Sequence, residues 1–277
     1  MKRLTIVTGV AALITASASA QVSAWLPYPN EFILTPSYTY QTFDKFWLGR
    51  TKVELPDDVQ QHTPTLTLEY GIDDRLAVDA TVGYVWVDTT HAFGPGNNND
   101  NGLTDTTFGL RYKFLDQDRA GGYPLWPSVA LRVGGIIEGT YDENLPFSAG
   151  DGASGVETSL LLAKEICPNF GLYGDFGYRW RNQHVPDDLF GSAGAYATWY
   201  GFTLTGAYRH IGGLHGKNIG EVPFPQVKEI IDSYEIGLGY RDSGDRYYQF
   251  FFAHAFDGRN TGAKDVFGVS ASFSFGR

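Results

Sequence analysis

The sequence predicts an all-β protein, a single closed antiparallel transmembrane β-barrel of about 12 strands with short periplasmic turns and longer extracellular loops. Three observations support this prediction. Segments of about ten residues alternate apolar and polar side chains, their connections alternate between short and long, and aromatic residues gather near the segment ends. Outer-membrane barrels show this combination because each strand has one face toward lipid and one toward an enclosed lumen.

The chain begins with features of an exported protein. Lys2 and Arg3 precede the apolar run 4–16, and Ala18 and Ala20 form an A-x-A cleavage site. A basic region, a short apolar region and such a site describe a secretory signal peptide. We therefore expect three parts: a cleaved signal peptide at 1–20, a periplasmic N-terminal segment at 21–30, and an outer-membrane barrel at 31–277.

The clearest strand is the stretch 171–181. Its even positions include Phe176 and Trp180, whereas its odd positions include Asp175 and Arg179. Successive side chains of a strand point to opposite faces, so this strand has an aromatic face and a charged face. About ten tilted residues also suffice to cross the hydrocarbon core of a bilayer.

Eleven further segments show a similar period of two. The predicted strands are 32–42, 63–70, 76–87, 107–114, 128–137, 156–166, 171–181, 189–200, 202–209, 230–241, 248–256 and 267–275. The phase is ambiguous in 156–166 and 189–200. The stretch 189–208 contains no charged residue, which on length alone suggests a transmembrane helix. Its four glycines and the central Trp199-Tyr200-Gly201 favour two strands and a tight turn instead.

The connections distinguish the two ends of the predicted barrel. Short connections fall at 71–74, 167–169, 200–201 and 243–245, and long ones at 89–101, 139–154, 212–228 and 257–264. An even number of strands would return both termini to the periplasm. A soluble barrel would place its apolar face inside, whereas here the second face is rich in Gly, Ser, Thr and charged residues. That face is suited to a wet or ion-paired lumen.

The net charge limits the classes of possible partner, and the cysteine content limits the possible disulfides. The net charge of −10 becomes −12 once Lys2 and Arg3 leave with the signal peptide, which argues against a nucleic-acid partner. A single cysteine, Cys167, excludes a disulfide within the chain. We expect outer-membrane lipid and a small-molecule permeant as the partners, and we favour a monomer.

The candidate site is the set of charged side chains on the predicted inward face. These lumen-lining candidates are Asp79, Arg111, Lys113, Arg132, Asp175, Arg179, Arg181, Arg209, Glu235 and Arg241. One interpretation is an arginine-lined constriction that selects permeants by charge and size. The other is a ladder of ion pairs that holds a narrow barrel rigid. The sequence leaves both open.

Catalysis and metal binding find little support. His210 and His254 fall on the predicted outer face near its extracellular end, where a lipid-active enzyme would place a base. A hydrolase also needs a nucleophile within reach, and no G-x-S-x-G motif is present. His-x-x-x-His spacings and cysteine clusters are absent as well. We therefore predict no catalytic residue, no cofactor and no metal.

Several segments resemble a known family. They are 24–27 (AWLP), 70–77 (YGIDDRLA), 102–113 (GLTDTTFGLRYK), 150–155 (GDGASG), 171–180 (GLYGDFGYRW) and 191–194 (GSAG). Together they resemble the bacterial outer-membrane family labelled "putative MetA-pathway of phenol degradation". The resemblance covers nearly all of the mature chain and is carried by strand and turn signatures.

The resemblance implies a twelve-stranded barrel that passes small molecules, largely hydrophobic or aromatic, into the periplasm by passive diffusion. The family label records an association with phenol breakdown and does not imply that the barrel is an enzyme. The alternative is a structural or surface-interaction barrel with a blocked lumen. One departure is the C-terminus, where Gly276 and Arg277 follow the last aromatic residue, Phe275.

Overall fold

The structure is a computed structural model that describes residues 23–89, 99–117, 126–142, 148–150, 152–222 and 226–276. The expected signal peptide at 1–20 lies outside these residues. Thirteen strands are found in the described part, and they form one sheet. They are β1 Phe32–Leu48, β2 Thr51–Gly71, β3 Leu76–Asp88, β4 Asp100–Leu103, β5 Thr106–Leu115, β6 Ser128–Ile137, β7 Gly155–Cys167, β8 Phe170–Arg181, β9 Asp188–Trp199, β10 Phe202–Gly213, β11 Ile230–Arg241, β12 Tyr247–Arg259 and β13 Asp265–Phe275.

The sheet closes into a barrel with twelve strand positions. β4 and β5 both pair with β3, one after the other, and so share one position. β1 pairs with β2 on one side and with β13 on the other, and in this closing seam Phe32 lies opposite Phe275. Every pairing is antiparallel, and closure removes the unpaired edges that lipid would not tolerate. The predicted closed antiparallel barrel of twelve strands is confirmed.

The two ends of the barrel differ. We call the end where β1 begins and β13 ends the turn end, because the connections β2–β3, β7–β8, β9–β10 and β11–β12 there are short. We call the opposite end the loop end. The turn end and the loop end thus define the position of each inward-facing side chain along the barrel axis.

The outer face is apolar along its length. Phe176, Trp180 and Leu204 are 61%, 49% and 56% exposed. Soluble monomers rarely expose contiguous apolar surface of this extent, whereas a lipid-facing barrel requires it. The apolar side chains therefore point outward, as the alternation predicts.

The ambiguous stretches resolve into strands with a clear phase. In β7, Leu161 is buried inside while Leu160 and Leu162 are exposed on the outer face. The uncharged stretch 189–208 forms most of β9 and β10. Within the described residues, no helix is long and apolar enough to cross a membrane.

The first hairpin is longer than the sequence predicts. The predicted strands end at 42 and begin again at 63, whereas β1 and β2 run on to Leu48 and from Thr51. The extra residues pack into the loop end, where Phe43, Phe46 and Val59 are buried together. The apolar and polar residues do not alternate here. A strand in the membrane has lipid on one face and the lumen on the other, whereas these residues contact other parts of the protein.

Candidate functional site

The interior of the barrel divides into three zones between its ends. An apolar cluster occupies the loop end, charged side chains occupy the middle, and a cavity of about 520 Å³ opens toward the turn end. A smaller cavity of about 100 Å³ lies between the apolar cluster and the charged zone. A molecule that passed through the barrel would meet these zones in sequence.

The loop-end cluster combines the first hairpin with inward-facing residues of β3 and with residues of the β6–β7 and β10–β11 connections. Its buried members are Phe43, Phe46, Val59, Val85, Val87, Tyr141, Ala149, Ile219 and Val227. A second buried group adjoins β11–β13 and contains Trp47, Ile231, Phe251, Ala253, Ala255, Ala263 and Val266. The inward face is therefore polar in the middle and apolar near the loop end, and the polar composition of the predicted inward face gave no indication of this apolar end.

One side of the charged zone is a dense ion-pair network, which we call the fixed wall. It consists of Glu69, Asp79, Arg111, Arg132, Glu157 and Arg179, which come from β2, β3 and β5–β8. Each arginine of the fixed wall contacts a carboxylate on another strand. The network therefore ties six consecutive strand positions together from the inside.

Arg132 is the centre of the fixed wall. Its Nε donates to both carboxylate oxygens of Asp79 at 3.2 Å, and its Nη2 donates to Asp79 Oδ2 at 2.6 Å. Its Nη1 donates to Glu157, which also accepts from Arg179 Nε at 3.2 Å. Charge-assisted hydrogen bonds of this kind are about twice as strong as neutral ones. The Arg132 guanidinium is thus held from both sides.

Arg111 completes the fixed wall beside Arg132. It is fully buried, donates through Nη2 to Glu69, and places Nε 3.3 Å from Asp79 Oδ1. Asp79 is therefore shared by two arginines. Burial of charge is tolerated because each group has a partner of opposite sign.

A glycine lets Arg132 reach Asp79. Arg132 lies on β6 and Asp79 on β3, and β5 lies between them. The guanidinium crosses β5 over Gly109, where an added Cβ would stand 2.6 Å from Arg132 Nε. Any larger residue at 109 would occupy the space that this arginine needs.

The opposite side of the charged zone is sparsely paired, and we call it the open wall. It consists of Thr205 and Arg209 on β10 and Glu235 on β11. The ion pair of Arg209 Nη2 with Glu235 Oε2 is 3.7 Å long, beyond hydrogen-bond distance. Thr205 Oγ1, Arg209 Nε and Glu235 Oε2 are all buried atoms with no hydrogen-bond partner.

The remaining candidate residues lie around these two walls. Arg181 donates to Asp105 at 2.9 Å and to the carbonyl oxygen of Ala153 at 2.8 Å, toward the loop end. Lys113 pairs with Asp116 at 2.7 Å. Asp175 accepts a hydrogen bond from Ser192, and Arg241 lies 3.9 Å from Asp245 in an exposed pair at the turn end.

The large cavity is lined by hydroxyl groups and tyrosine rings. Its wall contains Tyr173, Tyr196, Tyr247, Thr198, Thr203, Thr205, Ser192, Ser270, Ser272 and Ser274. Charged side chains also contribute, namely Glu31, Glu69, Asp175, Arg241 and Asp245. The N-terminal segment forms part of this wall through Trp25, whose ring meets Tyr196 edge-on at 5.6 Å. Ala24 is fully buried against Ala130, Leu161 and Ala163. Residues 23–30 therefore fold against the turn end of the interior.

Sequence reasoning missed several groups of the site. Glu157 was not recognised because the phase of its strand was ambiguous, although its parity with Ser159 and Leu161 could have placed it inside. Asp105 was missed because it lies in the break between β4 and β5, outside the alternating segments. The inward tyrosines Tyr173, Tyr196 and Tyr247 carry no signal that separates them from lipid-facing aromatics except strand parity.

Three histidines, His62, His210 and His254, pair with acidic or phenolic groups. His210 Nδ1 lies 2.8 Å from Asp232 Oδ1, and His254 Nδ1 lies 2.6 Å from Asp265 Oδ1. His62 Nδ1 lies 2.6 Å from the hydroxyl of Tyr38. The described residues contain no group of three or more His, Cys, Asp or Glu that could hold a metal ion.

Comparison with solved structures identifies similar folds. A crystal structure of an outer-membrane channel from Pseudomonas putida F1 aligns over 91% of this chain and 97% of that chain, with 14% identity and a TM-score of 0.73. The KdgM porin aligns over 87% of this chain and 99% of that chain, with 9% identity and a TM-score of 0.50. At these identities the likeness concerns the fold.

Comparison of the sequence gives the family. No curated protein matches the chain. The family described as "Putative MetA-pathway of phenol degradation" matches residues 48–218, which is more than half of the chain. The match spans the whole fixed wall and the Thr205–Arg209 part of the open wall. The chain therefore belongs to the family "Putative MetA-pathway of phenol degradation".

Proposed function

We propose that this protein is an outer-membrane channel that passes small molecules, with aromatic compounds as the main class, into the periplasm by passive diffusion. The observation that carries the proposal is the 520 Å³ cavity, lined by tyrosines and hydroxyls, inside a barrel whose outer face suits lipid. Family membership and the likeness to an outer-membrane channel support it. The turn end would then face the periplasm.

The middle of the interior would act as the selective part of the channel. Arg132 of the fixed wall and Arg209 of the open wall are not in the cavity lining and would lie between the large cavity and the loop-end cluster, so a permeant would have to pass between the two walls. Charged rings and constrictions select permeants by sign and size in known pores. The fixed wall also supports the structural interpretation, since its arginines are already paired. We propose that selection takes place mainly at the open wall.

The second candidate function is a structural or surface-interaction barrel with a blocked lumen. The observation in its favour is the loop-end cluster, in which Phe43, Val59 and Val85 are buried together. For a channel, these residues would have to separate or leave an apolar path for the permeant. No catalytic role is part of either proposal.

Two measurements separate these functions. Purified protein in planar lipid bilayers should give a defined open level, whereas a blocked barrel should remain silent. Cells that carry the barrel should take up radiolabelled toluene faster than cells that lack it. Absence of both an open level and an uptake difference would contradict the channel proposal.

The proposal includes how the mature protein is made and placed. The signal peptide at 1–20 would be cleaved after Ala20, and residues 21–30 would lie at the periplasmic mouth. The contact of Trp25 with Tyr196 supports that position for the segment. We propose a monomer in the outer membrane of a Gram-negative cell. Mass spectrometry of the outer-membrane form should find Gln21 at the N-terminus.

A further inference from the structure

Three unsatisfied polar atoms belong to the two neighbouring strands of the open wall, β10 and β11. Thr205 and Glu235 are 8% and 3% exposed, yet Thr205 Oγ1 and Glu235 Oε2 have no hydrogen-bond partner, and neither does Arg209 Nε. A buried polar group without a partner costs about 1–3 kcal/mol. Such groups are uncommon in native interiors and call for an explanation. Here their grouping points to a ligand.

The register of β10 and β11 places small residues beside these side chains. Gly237 lies opposite Thr205, and Ala207 lies opposite Glu235. An added Cβ at Gly237 would stand 2.5 Å from Thr205 Oγ1 and 2.7 Å from Gln249 Nε2, so only glycine leaves room for these two side chains. The neighbours of Thr205 and Glu235 across the strand pair are thus glycine and alanine. Thr205 itself lines the large cavity.

An aromatic ring covers the same region from the neighbouring strands. Tyr173 on β8 extends over Gly194 of β9, where an added Cβ would stand 2.6 Å from the Tyr173 Cζ atom. Gly194 lies opposite Ala207 on β10. Tyr173 is also part of the cavity lining. A small aromatic molecule at this position would have a ring surface beside it and polar atoms at its edge.

The chemistry of the three atoms selects the group that would satisfy them. Glu235 Oε2 accepts a hydrogen bond, Arg209 Nε donates one, and the Thr205 hydroxyl can do either. A carboxylate ligand would be repelled by Glu235, and an ammonium ligand by Arg209. A hydrocarbon would leave all three unsatisfied. A neutral hydroxyl donates and accepts at once, so it can donate to Glu235 Oε2 and accept from Arg209 Nε.

We infer that Thr205, Arg209 and Glu235, with Tyr173 as the ring surface, form a binding subsite for the hydroxyl group of a small neutral hydroxylated aromatic molecule. The inference deepens the proposed channel function, on which it rests for its place on a permeation path. The permeant would enter this subsite next to the large cavity. Its ring would lie against Tyr173, and its hydroxyl would bridge Glu235 and Arg209.

Phenol binding to the purified protein in detergent tests the subsite. Saturation-transfer NMR would measure the dissociation constant of phenol, with toluene as the ligand of similar shape that lacks the hydroxyl. Thr205→Val removes one hydroxyl at nearly constant volume, and Glu235→Met removes the acceptor at similar length. Each variant should weaken phenol binding about three- to tenfold, the effect of one hydrogen bond, and leave toluene binding unchanged.

The matched control is Thr198→Val, the same chemical change on β9 within the same cavity but away from the subsite. It should leave phenol binding unchanged, and circular dichroism should show that all three variants are folded. Wild-type affinity for phenol retained in both Thr205→Val and Glu235→Met would overturn the inference. Equal weakening by Thr198→Val, or no phenol binding to the wild type, would do the same.

The outcome is separable from that of the channel proposal. Specific phenol binding without an open level or uptake would keep the subsite and reject the channel. An open level in bilayers, together with equal changes of the phenol and toluene dissociation constants in Thr205→Val, would keep the channel and reject the subsite.

Discussion

Arg132 on β6 and Arg209 on β10 both lie inside the barrel beside carboxylates, but they differ in how completely they are hydrogen-bonded. Arg132 makes hydrogen bonds to Asp79 and Glu157 with all three of its nitrogens and is 6% exposed. Arg209 has one ion pair, at 3.7 Å, and is 18% exposed. Similar residue types can therefore brace a barrel on one side and remain available to a permeant on the other.

The largest expected difference between the walls is in stability. Arg132→Met would remove the four hydrogen bonds that this guanidinium donates to Asp79 and Glu157. Of its ion pairs in the described part of the chain, Asp79 would keep only the 3.3 Å contact with Arg111, and removing one partner of a buried pair costs about 3–5 kcal/mol. Arg209→Met should lower the free energy of unfolding less than half as much, because it breaks one loose pair. Urea unfolding in detergent or lipid measures both. Equal losses would show that the two walls do not differ in this way.

A steric test of the fixed wall should have the next largest effect. Gly109→Ala would place a methyl group 2.6 Å from Arg132 Nε, and overpacking of this kind costs about 1–3 kcal/mol. The matched control is Gly206→Ala, since an added Cβ at Gly206 meets nothing within 4 Å. Only the first variant should lower the urea midpoint. An equal effect of both would mean that the close approach to Arg132 is unimportant.

Ion selectivity tests the open wall in the proposed channel. Arg209→Gln removes a positive charge that remains partly accessible, so the permeability ratio should shift toward cations about two- to threefold, roughly the effect of a partly screened charge. Reversal potentials in a salt gradient across a planar bilayer measure this ratio. Arg132→Gln should shift it less, because Asp79 and Glu157 already neutralise that guanidinium. The reverse order would place selection at the fixed wall.

A small pH effect is expected at the turn that joins the strands next to the open wall. Slight burial raises the pKa of Asp242. Hydrogen bonds from the backbone N–H groups of Arg246 and Gly244 and from the Arg246 guanidinium together lower it by more, so the net pKa is below its ordinary value. This stabilisation is present above the ordinary carboxyl pKa of about 3.9 and is lost as the pH falls through the lowered value.

Comparing wild type with Asp242→Asn over acid pH measures this effect. The difference between their urea midpoints should shrink as the pH falls below about 4. A constant difference at all pH values would show that the ionised form of Asp242 is not the stabilising one.

The outward face was predictable because lipid imposes one rule on every strand. Phe176 and Leu204 could be placed from alternation alone, since each lies in a strand with regular parity. Arg111 and Arg132 could be placed inside for the same reason. Parity says which face a side chain occupies but not which partner it finds across two strands, so the sharing of Asp79 required the structure.

The first hairpin and the unsatisfied atoms were beyond sequence reasoning. Residues 43–62 contain Pro56, Asp57 and Asp58 and lack regular alternation, because contacts with loops rather than lipid decide their packing. The open wall depends on the register that places Ala207 beside Glu235 and Gly237 beside Thr205. Such a register is set by the pairing of all the strands in the barrel, so no local sequence pattern predicts it.

The closing seam has a consequence for folding. Ser274 on β13 donates a hydrogen bond to Glu31 just before β1, and these residues are 243 positions apart. Chains dominated by contacts between distant residues fold slowly, because loop entropy is lost before the contacts form. One edge of β1 therefore remains unpaired during folding until β13 has formed and can pair with it. A chain that lacks β13 should leave that edge open to pairing with other molecules and should aggregate rather than insert.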